Sequence, residues 1–176
     1  MGDRIKVIMD CDPGIDDGIA LAYAAAHQDE LELLAITTFA GNATIDKVTK
    51  NALELADFYG LKVPVAKGQE RPLVKEPLHA EEFHGETGLG HCVLPETKTE
   101  IASDNAVLFI RDILNGLPEG EQVTMIETAP MTNLALLLRI WVVHRSPRYS
   151  RRLPNILYSR HTIPFSCPET KMILQP

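Results

Sequence analysis

Along the first 138 residues, apolar positions alternate between the two-residue period of a strand and the 3.6-residue period of a helix. Ile5-Lys6-Val7-Ile8-Met9 is a short β-branched run suited to a buried strand. Gly18 to His27, with Ile19, Ala20, Leu21, Ala24 and Ala25, is a helix-forming stretch. Leu31 to Ala40, rich in Leu, Ile and Thr, predicts a second strand. Ile45, Val48, Ala52, Leu55, Ala56 and Tyr59 then fall at helical spacing, with Thr44 placed to cap the helix and Gly60 to end it. Val63 to Ala66 reads as a third, short strand. A helix through Val107, Ile110, Ile113, Leu114 and Leu117 can start at Ser103 or Asp104 and end near Gly116. Val123 to Ile126 predicts a fourth strand, and Thr132-Asn133 opens a helix through Leu138.

Strand and helix in repeated alternation predict an α/β fold with a parallel sheet covered by helices on both faces. Such sheets bind ligands just beyond the carboxyl ends of their strands. Beyond the first strand lie Asp10, Asp12, Asp16 and Asp17, beyond the second Gly41-Asn42, and beyond the fourth Thr128, followed by Ala129-Pro130. Polar groups from three segments should therefore converge on one edge. Between Gly68 and Ser103 runs a stretch of little periodicity holding Phe83-His84-Gly85-Glu86-Thr87-Gly88, and loops this long are functional lids or binding loops, or else disordered.

From Arg139 onward the alternation stops, and Trp141, Pro147, Pro154, Pro164 and Pro168 interrupt any helix. Charge changes at the same point. Residues 1–138 carry 10 Lys and Arg against 23 Asp and Glu, a balance of −13, whereas residues 139–176 carry 7 against Glu169 alone, a balance of +6. The expected organisation is a folded part over residues 1–138 and a basic, Pro-rich, poorly ordered tail over 139–176. The acidic body argues against nucleic acid as a partner, and no apolar stretch approaches a membrane span. Met1 to Lys6 lacks the apolar core of a signal peptide, and Lys6 stands where a myristoylation signal wants Ser or Thr. Cys11, Cys92 and Cys167 have no metal-type spacing, so a reduced, cytoplasmic protein is the simplest expectation.

Four carboxylates within eight residues repel one another unless a positive charge sits among them. A hard divalent cation with oxygen ligands, Ca²⁺ or Mg²⁺, is the natural counterion. Pro13-Gly14 forces a tight turn that lets Asp12 and the Asp16-Asp17 pair face a common point, and the pair also falls at a helix start, where the dipole favours negative charge. A carboxylate free of the metal could take a proton from a polarised water, which suits hydrolysis of a glycosidic or phosphate bond. Asn42 could bond a substrate hydroxyl, Thr128 could lend its backbone carbonyl, and His84 could meet substrate. Taken alone, each is better read as a turn, a strand and an exposed loop residue respectively.

Asp10-Cys11-Asp12-Pro13-Gly14-Ile15-Asp16-Asp17 resembles the N-terminal signature of the inosine–uridine preferring nucleoside hydrolases. The resemblance continues through Ala35-Ile36-Thr37-Thr38 to Gly41-Asn42, then His84 to Gly88, then Thr128 to Leu134, covering about residues 5–138. It implies a Rossmann-like open, mainly parallel sheet with flanking helices, truncated here, and Ca²⁺-dependent hydrolysis of the N-glycosidic bond of ribonucleosides to base and ribose. In that pattern Asp12 and Asp17 match calcium ligands, and Thr128 matches the residue that lends its carbonyl. Asp16 matches the general base, Asn42 a ribose-contacting asparagine and His84 a histidine near substrate. Asp10 matches a first-strand aspartate that would support the ligands from behind.

The departures are as informative. Family members continue well past this length with an Asn/Glu-rich ribose-binding segment and a His-Asp pair that gives a leaving-group acid and a further calcium ligand. Neither is present, and Thr128-Ala129-Pro130 stands where Thr-Gly-Pro or Thr-Gly-Gly is usual. The coincidence of breaks predicts that residues 139–176 are out-of-frame or aberrantly spliced sequence, with a shortened paralogue carrying a new tail as the alternative. An enzyme of impaired activity, a non-catalytic calcium- or nucleoside-binding remnant, and a haloacid-dehalogenase-like phosphatase using the Asp10-Cys11-Asp12 motif are the three functional expectations. An incomplete sheet also leaves an edge that invites homo-oligomerisation.

Overall fold

The computed structural model describes residues 4–143 and 155–158. Its strands are β1 (Ile5–Cys11), β2 (Leu31–Thr38), β3 (Val65–Ala66), β4 (Thr124–Glu127) and β5 (Asn155–Tyr158). Its helices are α1 (Ile15–Ala26), α2 (Ile45–Phe58), α3 (Glu81–His84), α4 (Ala106–Gly116) and α5 (Thr132–Val143). All strand pairings are parallel, in the order β3-β2-β1-β4-β5. The chain moves outward from β1 in one direction to β3 and then returns to β4 on the other side. That reversal falls between β1 and β4, and the carboxyl ends of the strands at such a point are where an open α/β sheet receives its ligand.

The alternation of β1 divides the core in two. Val7, Met9 and Cys11 face α1 and α2, packing with Leu21, Ala52, Leu55 and Ala56. Ile8 faces α4 and α5, packing with Val107, Ile110, Leu114, Leu134 and Leu137. A central strand buried on both faces explains why Ile5 to Met9 reads as a nearly continuous apolar run.

Several boundaries differ from expectation for local reasons. Helix α1 begins at Ile15, directly after the Pro13-Gly14 turn, so Asp16 and Asp17 occupy its first turn. Thr44 stands at the start of α2 but makes no side-chain cap, whereas α4 is capped by Asn105, whose side chain accepts from the Leu108 amide at 3.0 Å, and not by Ser103 or Asp104. Gly60 follows α2 with φ of 69°, as a helix-ending glycine should. Most consequential, α5 runs on through Arg139 and Trp141 to Val143, and β5 extends the sheet beside β4. The apolar run Ile140-Trp141-Val142-Val143 continues the helix without a breaker, and Ile140 packs against the α4–α5 core. The rest of the expected tail lies outside the described residues. No helix among the described residues is long and apolar enough to cross a membrane.

Candidate cation and substrate site

The carboxyl end of β1 brings the predicted residues together. The Asp12 amide donates to Asp17 Oδ2 at 3.1 Å, so the turn closes the first helical turn of α1 back on the strand end. Asn42, arriving from the end of β2, grips Asp12 twice: its amide donates to Asp12 Oδ2 at 2.8 Å and its Nδ2 donates to the Asp12 carbonyl at 2.9 Å. The Thr128 amide donates to the Asp10 carbonyl at 2.9 Å, and the Thr128 side chain hydrogen-bonds the Asp17 carboxylate. Asp12 and Asp17 are both buried, whereas Asp16 keeps about 35% of its side chain exposed. His84 Nδ1 accepts the Ile15 amide at 3.3 Å and lies 4.0 Å from Asp16 Oδ1.

Two glycines are required by this crowding. A Cβ on Gly14 would lie 2.6 Å from His84 Nδ1 and 2.7 Å from Asn42 Nδ2, and one on Gly41 would collide with Asp12 Oδ2. Gly41→Ala is therefore expected to cost about 1–3 kcal/mol through forced displacement of Asp12, measured by urea unfolding against the unsubstituted chain.

Burial is the main force on these carboxyls. Desolvation, followed by the charge of Asp17, pushes Asp12 up to about 8. Desolvation likewise raises Asp17 against the hydrogen bond from Thr128, with Asp16 adding repulsion. Among the described residues no lysine or arginine pairs with Asp12 or Asp17. Asp12, Asp17 and the backbone carbonyl of Thr128 are hard oxygen donors, and a dication would relieve the repulsion that raises both carboxyls. Oxygen donors of this kind are those Ca²⁺ or Mg²⁺ takes, although among the described residues no three His, Cys, Asp or Glu side chains cluster as a metal site.

Asp10 is different. It is wholly buried within β1, and in the sheet register it lies between Thr37 of β2 and Glu127 of β4. Thr37 Oγ1 donates to Asp10 Oδ1 at 2.6 Å and Asn133 Nδ2 donates to the same oxygen at 2.9 Å. Asn133 also donates to the Thr38 carbonyl and accepts the Gln69 amide, tying α5 to the ends of two strands. Glu127 is fully buried beside Asp10 and is pushed up to about 10 by desolvation and by the Asp10 charge. Thr37 and Asn133 stand within segments that carry the resemblance but have no site role there, and Glu127 lies outside every motif. The signal for Glu127 was available, since a lone carboxylate in the apolar run Val123 to Glu127 must face either solvent or a buried partner. The burial of Asp10 also removes it as a phosphatase nucleophile, because no substrate reaches it.

An open groove of about 380 Å³ lined by Lys50, Lys67, Thr97 and Thr99 includes none of Asp10, Asp12, Asp16 and Asp17. Its lysines are already paired, Lys50 with Glu54 and Lys67 with Asp46.

The parallel sheet with buried aspartates at its reversal point finds its counterpart among known proteins. Residues 7–143 match the model of the inosine-uridine preferring nucleoside hydrolases, and the chain belongs to that family. It is 44% identical over 137 residues to the inosine-uridine preferring nucleoside hydrolase of Leishmania major, a match covering 77% of this chain and 43% of that one. It is 42% identical over 135 residues to a non-specific ribonucleoside hydrolase of Escherichia fergusonii, with the same shares covered. Its fold superposes on a plant nucleoside hydrolase with a TM-score of 0.76 at 30% identity, covering 89% of this chain and 48% of the other. A purine-preferring ribonucleoside hydrolase from Gardnerella vaginalis gives 0.74 at 28% identity. The chain thus spans less than half the length of the curated relatives it matches.

Proposed function

We propose that this chain forms the cation- and ribose-binding part of a ribonucleoside hydrolase acting on inosine- or uridine-type nucleosides. The observation that carries the reading is the Asp12–Asp17 pair: two buried, hydrogen-bonded carboxyls at the ligand-binding edge, with no lysine or arginine paired to either among the described residues. Asp12, Asp17 and the Thr128 carbonyl would hold Ca²⁺. Bound there, the cation supplies the charge that orients sugar hydroxyls and makes a water more acidic.

The remaining roles fall to the chain's own groups. Asp16, the more exposed aspartate, accepts a proton from the attacking water. Asn42 bonds a ribose hydroxyl, and His84 lines the approach of the substrate. As the C1′–N bond breaks, its electron pair leaves with the base and the water oxygen bonds to C1′. The surrounding carboxylates stabilise the positive charge that develops on the sugar. Asp10, held by Thr37 and Asn133, keeps the strand end rigid beneath the ligands.

Three protein oxygens are fewer than the roughly 6–8 that Ca²⁺ takes, and no leaving-group acid is assigned among the described residues. The 176-residue polypeptide assayed alone is therefore expected to release ribose from inosine and uridine roughly 100- to 10,000-fold more slowly than the Leishmania major relative, the range that a missing general acid accounts for. A side-by-side reducing-sugar assay with added Ca²⁺ or chelator measures this. Chelator-sensitive release supports the assigned chemistry, and release unaffected by chelator would contradict it.

A further inference from the structure

We infer that Asn51, which takes no part in the chemistry above, is the positioning residue that locks the 84–90 segment onto the aspartate turn. Asn51 sits on α2 and is only 5% exposed. Its Nδ2 donates to the Pro13 carbonyl at 3.1 Å and to the Thr87 carbonyl at 2.8 Å, so one amide group joins the turn and the loop, each more than 35 residues away in sequence.

Both ends of this bridge matter to the site. Pro13 follows Asp12 directly, so fixing its carbonyl orients the peptide that leads from the first ligand candidate into α1. Gly14, at the start of α1, offers no side-chain cap. His84 supplies the missing partner from a distance by accepting the Ile15 amide. The segment that delivers His84 is a self-bonded knot: the Gly90 amide donates to the His84 carbonyl at 2.6 Å, and the Gly88 amide donates to the Gly85 carbonyl at 3.1 Å. Leu89 anchors the knot in the α1–α2 core. A Cβ on Gly88 would lie 2.9 Å from Asn51 Nδ2, and its φ of 88° also favours glycine, so the knot is shaped to admit the amide.

The choice of residue follows from this geometry. A primary amide carries two N–H donors on one atom and can satisfy two carbonyls at once. Aspartate and leucine match asparagine in size but donate nothing, and serine donates once. With Asn51 in place, His84 stands 4.0 Å from Asp16 before any ligand arrives, and the site begins closed on that side. The value of this lock to catalysis rests on the proposed function, but the lock itself does not.

Hydrogen–deuterium exchange of the full chain, without cation or nucleoside, separates the two. In Asn51→Leu, the amides of residues 85–90 are expected to exchange about tenfold faster, which corresponds to about 1.4 kcal/mol of lost hydrogen bonding, while α4 (Ala106–Gly116) exchanges at its original rate. Asn51→Ser, which keeps one donor, should give a smaller acceleration confined to the same residues, and it decides the matter if Asn51→Leu does not fold. Unchanged exchange at 85–90, or acceleration spread equally through α4, would overturn the inference. Failure of the chain to bind Ca²⁺ or nucleoside would overturn the proposed function and leave this result standing.

Discussion

Replacing Asp12 with asparagine is expected to weaken cation binding at least about a hundredfold while making the cation-free chain more stable. The two effects have one cause. Asp12 is buried, its amide is tied to Asp17 Oδ2, and desolvation and the Asp17 charge both oppose its ionisation. Asparagine keeps the shape and an oxygen to accept the Asn42 amide but removes the charge. Removing a buried carboxyl that must take up a proton on folding should raise unfolding stability near neutral pH by about 1–3 kcal/mol. Loss of that same charge from the cation's partners should cost at least about 3 kcal/mol of binding, roughly a hundredfold in affinity. Urea unfolding in chelator and a calorimetric Ca²⁺ titration measure the two halves. A variant that is less stable and equally avid would show that Asp12 is an ordinary structural carboxylate.

Stability without a cation should fall as pH rises, and added Ca²⁺ should reverse the trend. Asp12 has a folded-state pKa raised from 3.8 to about 8, and Asp10, Asp17 and Glu127 are displaced in the same direction, chiefly by desolvation. A raised folded pKa means that the native state binds protons more tightly than the unfolded chain. Its contribution is therefore fully present below about pH 4 and is lost as pH rises through about 8. A dication competes with those protons, so its stabilising effect grows over the same interval. At a concentration about 100 times its dissociation constant it adds about 2.7 kcal/mol, or roughly 5–10 °C in Tm for a chain of this size. Thermal scans from pH 5 to pH 9 with and without Ca²⁺ should show curves that diverge upward. Parallel curves would mean that the ion binds elsewhere.

The fold was largely legible because its pattern is strongly local. Val7, Met9 and Cys11 on one face of β1 and Ile8 on the other account for the continuous apolar run, and the helical spacing in α2 gave that element nearly to the residue. The convergence of Asp12, Asp17, Asn42 and Thr128 also followed from the sequence, since strand ends in a parallel sheet meet at one edge. What escaped notice depends on register and on distant partners. Thr37 and Glu127 flank Asp10 only because three strands align at those positions. Asn51 and Asn133 act through carbonyls and carboxylates far along the chain, and within their own helices each looks like an ordinary polar residue. The change in charge at Arg139 suggests an end for α5 at Leu138, but the apolar run carries the helix on to Val143. An out-of-frame or aberrantly spliced origin for residues 139–176 predicts that the underlying nucleotide sequence, read in its other two frames, encodes the missing half of the family pattern; its absence there would contradict that origin.

The most direct measurement is a calorimetric Ca²⁺ titration of the 176-residue chain near neutral pH, paired with Asp17→Asn. Asp17 is buried, joined to Asp12 and bonded by Thr128, and among the described residues no lysine or arginine pairs with it. One binding event per chain, lost in Asp17→Asn, is the expected result. Absence of binding at millimolar Ca²⁺, or binding of equal strength in Asp17→Asn, would contradict the assignment of this crevice as a cation site.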